Sequence, residues 1–112
     1  MTYPIDNSTN AWTALGDSTR RAIFERLLEQ PQAVHTLANG LPVSRPAVSQ
    51  HLKVLSDAGL VVARREGKER IYRVDPNGIA ALGAELQRFW DKTMAAYKAV
   101  VEQSAAESPK EQ

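Results

Sequence analysis

Cysteine is absent from the 112 residues. That excludes disulfides, thiolate metal sites and cysteine nucleophiles, and it fits a reducing compartment. Histidine is nearly absent too. His35 and His51 fall on different expected helices and are too few to hold a metal unless several carboxylates join them. Long apolar runs are missing, so no stretch reaches membrane-spanning length. The opening "MTYPIDNSTN" has neither the basic start nor the apolar stretch of a secretory signal, and a cytoplasmic protein is expected. No internal repeat recurs, and only the polar end "SAAESPKEQ" is low in complexity. Nor is there a Ser/His/Asp set, a phosphate-cradling glycine loop or a carboxylate pair. Neither an enzyme nor a bound cofactor is expected.

What remains is 43% apolar and 24% charged, the balance of a soluble globular protein, in a length that suits one small domain. The net charge of +1 conceals an uneven distribution. Between Val43 and Val74 seven basic residues (Arg45, Lys53, Arg64, Arg65, Lys68, Arg70, Arg73) face three acids, so that segment carries +4 and the rest −3. A basic stripe on a nearly neutral chain is the electrostatic footprint of a surface that meets a polyanion.

The stripe begins in "SRPAVSQHLKVLSDAGLV", residues 44–61. Ser44 can cap a helix, Pro46 suits its first turn, and Gly59 stops it. Val48, Leu52 and Leu55 recur at i, i+4, i+7 and form the inward stripe. Opposite, at about 100° per residue, lie Pro46, Gln50 and Lys53, flanked by Arg45 and Ser49. An ordinary solvated face carries Glu/Lys pairs at i,i+4, and this one carries short polar groups and isolated cations. Gln pairs with adenine in two places, Arg with guanine, and Ser with phosphate or base, while Pro46 and Ala47 allow close approach. DNA contact is therefore expected of Arg45, Pro46, Ser49, Gln50 and Lys53. The division between base and phosphate contacts stays open. His51 lies about 60° from the centre of the apolar stripe, where packing or phosphate bonding suits it better than base reading.

Upstream, "NSTNAWTALGDSTRRAIFERLLEQP" reads as two helices. Ser8 is the expected cap of the first, Gly16 its end, and Asp17 the cap of the second, which turns Ile23, Phe24, Leu27 and Leu28 inward and stops before Pro31. "AVHTLANGLPV" fits a short helix ended by Asn39-Gly40, with His35 exposed. A short helix, a tight turn and a helix with a polar outer face make a helix-turn-helix. In "LVVARREGKERIYRV" the period becomes that of a strand pair turning at Gly67, a two-stranded hairpin with a basic tip. The expected fold is mainly α with a small β-hairpin, a winged helix-turn-helix. Cations at the wing, Arg65 and Lys68 foremost, can meet a minor groove or merely protect a strand edge. Asp75-Pro76 then opens a last helix whose apolar stripe includes Leu86, Phe89, Trp90, Met94, Tyr97 and Val101. The stripe is longer than such a domain needs for its own core, so part of it should cover a second subunit, with Trp12 joining the seam. A ligand pocket between the terminal helices is the other use of such aromatics.

"ALGDSTRRAIFERL", "LPVSRPAVSQHLKVLSDAGLV" and "RREGKERIYRVD", in this order and spacing, resemble the ArsR/SmtB family of winged-helix transcriptional repressors, from about Trp12 to Val101. The resemblance implies a homodimer built from the first and last helices, recognition helices in successive major grooves of double-stranded DNA, and repression relieved by a signal. Metal-sensing relatives place a cysteine pair where this chain has "AVHTLANGL", or an Asp-x-His…His-x-x-Glu set on the last helix. That spacing falls here on Asp91, Thr93, Ser104 and Glu107, without either histidine, and no metal site is expected. The expected layout is a flexible start at 1–7, a DNA-binding and dimerisation domain at 8–103 and a flexible polar tail at 104–112. The expected function is sequence-specific repression by a homodimer on an inverted-repeat operator, with the inducer unknown. The rivals are a winged helix that docks a protein, and a metal-responsive repressor with an oxygen-rich site. Large apolar anchors on the outer face would mark the first, and a metal titration tests the second.

Overall fold

Where the helices start and stop sets the architecture, seen in a computed structural model that describes residues 10–107. α1 (Ala11–Ala14) is one turn, capped by Asn10, whose Oδ1 accepts from the Trp12 and Thr13 amides at 2.8 and 3.2 Å. The sequence offers Ser8 for this role; Ser8 lies outside the described residues, as do 1–7 and 108–112, and Asn10 fills it. α2 (Ser18–Glu29) starts as expected at Asp17, whose carboxylate accepts from the Arg20 amide at 2.9 Å. Ile23, Phe24 and Leu27 are buried, but Leu28 is 54% exposed. At about 100° per residue Leu28 stands roughly 140° round from Ile23, beyond the edge that Phe24 marks.

The chain then gives a short strand, β1 (Gln32–Ala33), before α3 (Val34–Asn39). α4 (Arg45–Asp57) begins at Ser44, whose Oγ accepts from the Ala47 amide at 3.2 Å. It ends in a left-handed glycine, Gly59 at φ +80°. The Gly59 amide donates to Ser56 and the Leu60 amide to Leu55, which satisfies the last carbonyls in the Schellman manner. β2 (Val61–Glu66) and β3 (Glu69–Val74) form the hairpin, in register from Val61↔Val74 to Glu66↔Glu69. Of its two loop residues only Gly67 has a positive φ, +67°, which is what a type II′ turn asks of its first position.

The sheet is not the two-stranded hairpin expected. β1 pairs antiparallel with β3, Gln32↔Tyr72 and Ala33↔Ile71, in the order β1-β3-β2. Two residues carry no readable alternation, so the sequence gives no sign of this strand. Gln32 is buried there, and its Nε2 donates to the Arg26 carbonyl at 3.1 Å, closing the end of α2. Ile23, Leu27, Leu37, Val48, Leu52, Leu55, Leu60 and Val61 form the dry centre, each under 2% exposed. The inward stripe of α4 is the one read from spacing.

α5 (Pro76–Glu107) runs for 32 residues. The helix continues four residues into the stretch expected to be a tail from 104. Residues through Leu82 belong to one compact unit, and Gly83 onward to a second. Within the first, the start of α5 is seated tightly. The Asp75 amide donates to the Leu60 carbonyl at 2.9 Å, and a Cβ on Gly78 would collide with the Gly59 carbonyl oxygen. The second unit contains the rest of α5, whose residues 83–106 are exposed. No helix among the described residues is long and apolar enough to cross a membrane.

Candidate nucleic-acid interface

With Val48, Leu52 and Leu55 fully buried, the rotation of α4 is fixed. Arg45, Pro46, Ser49, Gln50 and Lys53 are all exposed as a result, and the last four line one shallow concavity. Large apolar side chains are missing from this face. Lys53 is not an isolated cation, because its Nζ lies 3.3 Å from the Asp57 carboxylate in an exposed i,i+4 pair. Such pairs are weak, about 0.3–0.5 kcal/mol, and leave the ammonium available to a stronger anion.

His51 stands apart from the other five. It is half-buried, and its Nδ1 lies 3.4 Å from Arg20 Nη1. A guanidinium can only donate, so this contact requires Nδ1 as acceptor and the proton on Nε2. Arg20 also donates from Nε to the Ala14 carbonyl at 2.8 Å, so one side chain ties the end of α1 and the start of α2 to α4. The Arg20 amide holds the Asp17 carboxyl below the usual carboxylate value; desolvation opposes this, and the charge of the Arg20 guanidinium, joined by His51 when its ring is protonated, reinforces it. Nothing in the apolar periodicity singles out Arg20. Its position in the first turn after a cap, beside the edge of α4, emerges only in three dimensions.

The wing is less uniformly basic than its sequence suggests. Arg73 Nη2 contacts the Glu66 carboxylate at 2.8 Å, and His35, half-buried rather than exposed, lies 3.7 Å from Glu69. Arg65 and Lys68 are exposed near the hairpin turn, without an acidic partner among the described residues. Arg70 is the wing cation the structure brings to α4. It lines one groove with Arg45, Pro46 and Ser49, and an adjoining groove with Ser49 and Lys53. The register accounts for this. Arg70 pairs with Arg65 on the face that Tyr72↔Ala63 and Val74↔Val61 turn towards the helices. Counting forward by two from buried Val61 reveals that face in the sequence, but it needs the strand pairing to reach Arg70.

The seam candidates are large apolar groups exposed on the single chain: Trp12 on α1, and Leu86, Phe89, Trp90, Met94, Tyr97 and Val101 on α5, between 41% and 62% exposed. The six on α5 recur at helical spacing and share one face. Among the described residues no three of His, Cys, Asp and Glu come together as metal ligands. Asp91 accepts instead from Gln87 Nε2 at 3.0 Å.

A short helix, a turn, a helix with a small polar outer face and a hairpin beside it define a winged helix-turn-helix transcription regulator. Comparison with known proteins agrees. Residues 15–64 match a helix-turn-helix domain. The chain is 55% identical over 92 residues, 82% of its length and 86% of the relative's, to the HTH-type transcriptional regulator Rv2034 of Mycobacterium tuberculosis. It is 40% identical over 76 residues to the HTH-type transcriptional repressor SmtB of the same species, covering 68% of this chain and 56% of that one. The solution structure of Mb0332 from Mycobacterium bovis covers 82% of this chain and 92% of its own at 28% identity, TM-score 0.61. It is described as the homodimeric winged helix-turn-helix DNA-binding domain of a possible ArsR-family regulator. The chain belongs to the ArsR/SmtB family of helix-turn-helix transcriptional regulators.

Proposed function

We propose that this chain is a repressor that works as a homodimer on double-stranded DNA in the cytoplasm, with α4 as its recognition helix. The observation that carries this reading is the outer face of α4: exposed, cationic, free of apolar anchors, and held by a fully buried inner stripe. That chemistry suits base edges and phosphates and does not suit a protein partner. Arg45 and Gln50, in the first turns of α4, read bases. Pro46 permits close approach, Ser49 and Lys53 meet the backbone, and Arg65 and Lys68 reach the DNA from the wing. The half-buried His51 acts through Arg20 rather than at a base.

A homodimer, the state described for the M. bovis relative, supplies a cover for the apolar face of α5 and a second recognition helix. Its two-fold axis calls for an inverted-repeat operator with half-site centres about one helical turn apart. The test is selection of duplexes by the purified protein, followed by affinity measurements across salt. With about four phosphate contacts per subunit the log–log slope is expected near −7. A slope shallower than about −3, or no enriched sequence, would contradict the reading.

A further inference from the structure

The wing cation that shares grooves with α4 is Arg70, opposite Arg65 and one pair in from the hairpin turn. Arg70 lines two grooves that share Ser49; Arg45 borders one and Lys53 the other. Its guanidinium lies over the Tyr72 ring, 6.0 Å from the centroid, a contact that limits where the side chain swings. The nearby carboxylates are already engaged: Glu69 with His35, Asp57 with Lys53, Glu66 with Arg73. Among the described residues Arg70 has no carboxylate of its own. A forked donor thus lines the same two open grooves as the Ser49 hydroxyl, with Arg45 and Glu69 bordering one and Lys53 and Asp57 the other.

We propose that Arg70 and Ser49 together hold one DNA backbone phosphate, so that the wing anchors on the side it turns to α4 and not only at its turn. The proposal rests on the DNA-binding reading above and adds to it a site. Phosphate suits the site better than a base. A guanidinium offers two parallel N–H donors to an anionic oxygen pair, and the hydroxyl offers a third donor. Ser49 lies one turn on from Arg45 at the helix tip, on the flank of α4 where a backbone contact suits it better than a base edge.

The experiment measures affinity by fluorescence anisotropy at several salt concentrations. The probes are a duplex selected by the wild-type protein and a scrambled duplex of equal length. Arg70→Ala is expected to weaken binding to both by about tenfold or more, as loss of a charge-assisted contact does. It should also flatten the salt slope by about two per dimer. Arg70→Lys should recover only part of the loss, since an ammonium cannot fork. In double-mutant cycles Arg70→Ala should be non-additive with Ser49→Ala and additive with Lys68→Ala. Wild-type affinity and slope in Arg70→Ala would overturn the proposal, as would coupling to Lys68 in place of Ser49. A loss confined to the selected duplex would overturn it too, since that marks a base contact. Should the alanine variant unfold, Arg70→Gln, which keeps the length and removes the charge, carries the same slope and cycle measurements. A silent Arg70 alongside a damaging Arg45→Ala sinks this site alone; wild-type protein that enriches no duplex sinks the functional reading with it.

Discussion

Gln50 and Arg45 have forked side chains in the early turns of α4, and both are exposed. Replacing either with Ala should cost about 1–3 kcal/mol on the operator and relax preference at one base position per half-site. Lys53→Ala and Lys68→Ala should instead weaken all sequences about equally, lowering the salt slope by roughly two per dimer. Binding-site selection with wild type and Gln50→Ala checks this, and identical base preferences would mean that Gln50 does not read sequence. Asp17 answers a different measurement. As the cap of α2 it should cost about 1 kcal/mol on replacement by Ala at pH 7. Its carboxyl titrates below the usual value in the folded chain, chiefly because the Arg20 amide donates to it. That contribution is therefore full above the unfolded value of about 4 and is lost as pH falls through the depressed folded value. Urea unfolding should show the gap between wild type and Asp17→Ala closing in acid; an equal gap at both ends would rule out the charge. The outer face of α4 was legible from periodicity alone, because buried and exposed positions alternate with the helix turn. Arg20 and Arg70 were not, since each gains its meaning from an element distant in sequence.

At the level of elements, caps and glycines carry most of the information. Asp17, Ser44 and Gly59 mark their helices where local chemistry says they should, because each acts within its own turn. β1 escapes such reading for the opposite reason, because it depends on the strand that packs alongside. The tightest junction is also non-local. Gly78 leaves no room for a methyl group against the Gly59 carbonyl, and backbone on both sides cannot yield as a flexible side chain can. Gly78→Ala should destabilise the fold by about 1–3 kcal/mol or push α5 away from its seat. Gly83→Ala makes the control, as a Cβ there meets nothing within 4 Å, and should be neutral or slightly stabilising. Thermal unfolding of the two variants distinguishes the cases, and equal midpoints would mean that the seat is loose.

For the whole molecule the exposed apolar face of α5 makes the sharpest demand. The protein should be a dimer with or without DNA, and Trp90→Glu or Tyr97→Glu should raise the dimer dissociation constant by at least about tenfold, since each would bury a charge in the seam. Sedimentation at micromolar concentration checks this; a stable wild-type monomer contradicts it. Chelators should leave both fold and operator binding unchanged, given two separated histidines and no cysteine. Loss of binding in chelator, restored by zinc, would reverse that expectation.

The side chains on the outer face of α4 contribute little to holding the domain together. Arg45, Gln50 and Lys53 lie outside the core, and among the described residues their one side-chain bond is the exposed ion pair of Lys53 with Asp57. Address and scaffold are thus separable. Mutation can wander across those positions without a folding penalty, so a duplicated copy of this gene could acquire a new operator in a few steps while its fold stays intact. A library randomised at 45, 50 and 53 should accordingly yield mostly soluble, folded proteins of divergent or lost DNA preference. The same treatment of Val48, Leu52 and Leu55 should yield almost none.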